Sequence, residues 1–116
     1  MTDIQQLIRA VLARLPFRST EDTQEFLNTY SLEDNSALIT ALIIGRDHVN
    51  EGRIQADYVP DDLSFDRFLH TGSAGIWLIQ PADFAQIIFD TSTSLITYLE
   101  AFERCATMSG YDLNEF

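Results

Sequence analysis

Lysine is absent from this chain of 116 residues, and bases of any kind are few: seven, all arginine, against eighteen acids. The formal net charge is −11. That balance excludes a general nucleic-acid-binding surface, because such surfaces gain affinity by neutralising phosphates with Lys and Arg. The same argument disfavours an anionic membrane surface. Cysteine occurs once, as Cys105, which excludes an internal disulfide framework and a cysteine-based zinc cluster and fits a reducing compartment. The start, Met1-Thr2-Asp3, has no basic stretch leading into an apolar core, so no secretory leader is expected and the expected location is cytoplasmic. Long hydrophobic runs are also missing. The longest near-apolar stretch, Ala37 to Gly45, falls far short of the ~20 residues that a membrane span needs.

What is present is enough for a core. Hydrophobic residues make up 46 %, with eight phenylalanines, four tyrosines and one tryptophan. Disorder requires low hydrophobicity together with high charge, so this composition predicts a folded chain. The length suits one helical domain over 1–116. No internal repeat or low-complexity tract interrupts it.

Hydrophobic periodicity supplies most of the elements. Ile4, Leu7, Ile8, Val11, Leu12 and Leu15 form one stripe of a helix, with Thr2 or Asp3 to cap it and Pro16 to stop it. Ser19 opens Ser-Thr-Glu-Asp, a helix start whose acids suit the positive end of the dipole. The helix that follows should reach about Tyr30. Ser31 repeats the device with Glu33 and Asp34. The run 37–45 is apolar on all sides apart from Thr40, so it should be buried on most of them. Periodicity alone leaves strand or helix open; the upstream cap and two alanines favour helix.

Residues 53–58 alternate polar and apolar, and 75–80 form a short apolar run, so the two make a candidate two-stranded element. Between them, Pro60 and Asp61-Asp62 suit a helix start, with Phe65, Phe68 and Leu69 facing the core. From Pro81 onward, Phe84, Ile88, Thr91, Leu95, Tyr98, Phe102 and Cys105 follow a heptad spacing. This predicts a helix over about 81–108 with a candidate break at residues 90–94. Ala85, Ser92, Leu99 and Ala106, with Ile87, Ser94, Ala101 and Met108, stand where a two-stranded coiled coil would place charges. The apolar face is therefore too wide for a narrow seam, and the segment reads as the central helix of a bundle. The expected fold is all-α or mostly α, four to five helices around a long C-terminal helix; the alternative is α+β. Phe26, Tyr30, Phe89, Ile96 and Phe116 have no obvious place in the core, which makes a homodimer a candidate.

Candidate chemistry is sparse. Asp62, Asp66 and His70 would line one side of a helix, with the reach to bind a divalent metal. No other motif completes the shell, and a solvated face with charges suited to the dipole is the favoured reading. Asp47 could orient His48 as a base, yet no nucleophile is marked near it. Cys105 sits in the core-facing stripe and reads as a small buried hydrophobe. The segment Thr71-Gly-Ser-Ala-Gly75 lacks the lysine and the preceding strand of a phosphate loop, and Trp77 reads as a core anchor. No catalytic, metal or cofactor-binding set is assigned. Seven acids, Glu21, Asp22, Glu25, Glu33, Asp34, Asp61 and Asp62, have a local explanation at helix starts. Glu100, Glu103, Asp112 and Glu115 do not, and only Arg104 stands among them. They form a candidate acidic patch for a basic protein partner.

The reading that follows is a small acidic non-enzymatic interaction protein. Its sharper form is an inhibitor or immunity-type protein that neutralises a basic partner. The alternative class is an enzyme or small-ligand carrier with its site near Asp47/His48 or Asp62/Asp66/His70.

Overall fold

The computed structural model describes residues 2–54 and 81–116. Among them are five α-helices and no strand, so the fold is a mostly α helical bundle. Helix α1 spans Ile4–Arg14. Asp3 caps it, its carboxylate accepting from the amides of Gln5 (2.8 Å) and Gln6 (3.3 Å). The expected stripe of Ile4, Leu7, Ile8 and Val11 is buried. Leu15 is already extended, as a residue before proline prefers.

Helix α2 spans Thr20–Asn28 and helix α3 Leu32–Asp47. Their caps are the two predicted serines: Ser19 Oγ accepts from Asp22 N and Ser31 Oγ from Asp34 N, each at 3.1 Å. Helix α2 ends two residues before Tyr30, whose ring instead packs on Phe26 with centroids 5.2 Å apart. Asp22 also closes the connection from α1: its carboxylate accepts from Arg18 N at 3.0 Å and from Arg14 at 2.9 Å. Asp34 does more than face a dipole. It is buried, and it accepts from the Thr2 amide at 2.9 Å, tying the entry of α1 to the first turn of α3.

Every residue from Ser36 to Gly45 is buried, so α3 is covered all round over that stretch. This resolves the strand-or-helix ambiguity and gives its physical basis: with no polar face to turn outward, the segment must occupy the middle of the bundle. The segment over 81–108 is helical, and it breaks at the candidate position into two helices. A 3₁₀ turn at Pro81–Asp83 leads into α4, Phe84–Asp90, and a separate helix α5 covers Leu95–Met108. The interruption falls at Thr91–Ser94, where the hydroxyls of Thr91 and Ser92 bond back to the carbonyls of Ile87 and Phe89 at 2.8 Å. Such local bonds compete with helix continuation. Among the described residues, α5 packs mainly on α3 and α4 mainly on α2, and α3 also meets α1 and α4.

Helix α5 stops in a Schellman arrangement. Gly110 takes φ +82°, its amide bonds to Thr107 O and the Tyr111 amide to Ala106 O, each at 3.0 Å. A final 3₁₀ turn, Leu113–Glu115, follows. Of the five side chains without an evident place in the core, Phe26 and Phe116 are buried, and Tyr30 and Phe89 pack against the core. Phe116 lies on Phe102 with ring centroids 5.0 Å apart. Of these five, Ile96 alone is exposed. The candidate pairing of 53–58 with 75–80 lies outside the described residues, apart from Arg53 and Ile54. The Ile54 amide donates to Ser109 Oγ at 2.9 Å.

Candidate functional site on the outer face of α5

Helix geometry sets this surface. Positions 95, 99, 102 and 106 of α5 are buried, so 100, 103, 104, 107 and 108 share the opposite side. Glu100, Glu103, Arg104, Thr107 and Met108 line an open hollow of about 370 Å³ there. Met108 is 69 % exposed, the most open large apolar side chain among the described residues. Glu100 is exposed and Glu103 half-buried. Burial pushes the Glu103 carboxyl above its usual pKa; Arg9 of α1 pulls it back, and the Glu100 charge adds to the rise.

Arg104 stands in the same lining with its hydrogen bonds directed elsewhere. Its Nη2 donates to the carbonyls of Val49 and Glu51 at 3.1 Å each. Together with Cys105 and Ser109 it fastens the segment after α3 onto α5. Asp112 does not line the hollow. Its carboxylate accepts from Asn114 N at 2.9 Å and caps the closing 3₁₀ turn, which also contains Glu115. The structure therefore joins Glu100 and Glu103 into one surface and gives Asp112 a local structural role. Arg104 and Met108 complete the hollow. Met108 was visible in the sequence only as part of a wide apolar face.

His48 and Asp47 take different environments. His48 is fully buried at the C-cap of α3, and its Nδ1 donates to Ile44 O at 2.7 Å. A carbonyl can only accept, so Nδ1 carries the proton. Asp47 reaches the surface and meets Arg46 Nε at 3.2 Å. The ring is thus oriented by a backbone carbonyl and sealed from solvent. Cys105 is fully buried and donates to Glu51 O at 3.3 Å. Burial raises its thiol pKa, which disfavours the nucleophilic thiolate.

Among the described residues no group of three or more His, Cys, Asp or Glu could hold a metal ion. The Asp62/Asp66/His70 stripe, the loop 71–75 and Trp77 lie outside the described residues. No described helix is long and apolar enough to cross a membrane. Comparisons with protein-family models, curated proteins and solved structures found no match.

Proposed function

We propose that this chain is a non-enzymatic interaction module that receives a basic protein surface on the outer face of α5. One observation carries the reading: Glu100 and Glu103 line an open hollow together with Arg104, whose side chain is tied to the Val49 and Glu51 carbonyls, and the exposed Met108. A flexible, polarizable thioether gives adaptable apolar contact, and carboxylates beside it give orientation and electrostatic steering. The polar groups inside the protein point the same way. Asp34, Thr40, His48 and Cys105 are buried, and each has a bond to main chain, so each has a structural role in hand. Neutralising a basic partner, as an inhibitor or immunity-type protein does, is the sharper form of the same proposal.

The test is site-specific crosslinking. A photoreactive residue replacing Thr107, which lines the hollow, should give discrete protein adducts in the native cell that fade as salt is raised. The same residue replacing Glu21, exposed at the start of α2, should not. Equal adducts from both positions, or none at Thr107, would count against the proposal.

A further inference from the structure

We draw no further inference here: the strongest candidate, the hollow on the outer face of α5 where Glu100 and Glu103 stand beside Met108, belongs to the surface already described, and nothing in the structure shows what covers it.

Discussion

Gly45 of α3 lies directly against the backbone of α5 at Tyr98. A Cβ built on Gly45 would fall on the Tyr98 carbonyl oxygen, 2.7 Å from its carbon and 3.2 Å from Phe102 N. Both neighbours are main-chain atoms of a helix and cannot swing aside as a side chain can. The absence of a side chain at 45 thus lets the two helices approach this closely.

Gly45→Ala is accordingly expected to destabilise the protein. Alanine in a helix interior is intrinsically better than glycine by about 1 kcal/mol. Overpacking against a rigid neighbour costs about 1–3 kcal/mol, occasionally more, so the loss should win. A lower urea midpoint than wild type checks this; an unchanged or higher midpoint would show that the helices separate without cost.

Asp22 makes stability fall in acid. The Arg18 amide, and then the Arg14 side chain, hold its carboxyl below the ordinary value of 3.8. A lowered folded-state pKa stabilises the fold above the ordinary value and loses that contribution as pH falls through the lowered one. Asp22→Asn should therefore be less stable than wild type near neutral pH, and the two should converge on acidification below 3.8. Urea midpoints across that range decide it, and a gap that stays constant as acid is added would contradict the assignment.

Glu103 has the opposite sign. Burial raises its carboxyl above the ordinary 4.5, so the ionised form is penalised in the fold at neutral pH and the penalty disappears in acid. Glu103→Gln should raise stability slightly at neutral pH, by about 0.5 kcal/mol or less for a side chain still partly in solvent. The gain should vanish as pH drops below 4.5. A loss of stability at neutral pH would mean that attraction to Arg9 outweighs the desolvation.

Cys105 should be chemically silent in the folded protein. It is buried, its pKa is raised, and it donates to the Glu51 carbonyl. A chromogenic disulfide reagent at mildly alkaline pH should react only at the rate of opening, and immediately in denaturing urea. Fast reaction without denaturant would show that the 48–54 segment leaves α5 readily.

How much of this was legible depended on whether the signal was local. Asp3, Ser19 and Ser31 each bond amides two or three residues away, so the caps were readable from short spacings. The all-round apolar character of 37–45 announced burial, and the cap at Ser31 with the two alanines favoured helix over strand. The heptad through 81–108 was partly misleading. It placed Thr91 and Tyr98 in the core stripe, but both are only half-buried, while Leu99 and Ala106 are buried. The cause is the interruption at Thr91–Ser94: each helix sets its own phase, and α5 turns its 95–99–102–106 face inward. Gly45 was hidden for another reason. Its role depends on Tyr98, distant in sequence, and a glycine inside an apolar run carries no mark of a helix crossing. The bond from the Thr2 amide to Asp34 spans the chain in the same way. For the candidate surface, Glu100 and Glu103, the carboxylates that no helix start explains, lie on α5 and line its hollow. Asp112 had a local duty as the cap of the last turn, and that duty is set by backbone conformation.

The central claim is that the outer face of α5 receives a basic partner, and reversing its charge tests this most directly. Glu100→Arg/Glu103→Arg and the control pair Glu21→Arg/Glu25→Arg change the net charge equally but at different places. Both should be compared with wild type in affinity capture from the native cell across a salt series, with folding checked by circular dichroism. The account predicts a protein retained by wild type and by the control pair, released by moderate salt, and lost from the α5 pair. Equal loss from both pairs, or retention by the folded α5 pair, would contradict it.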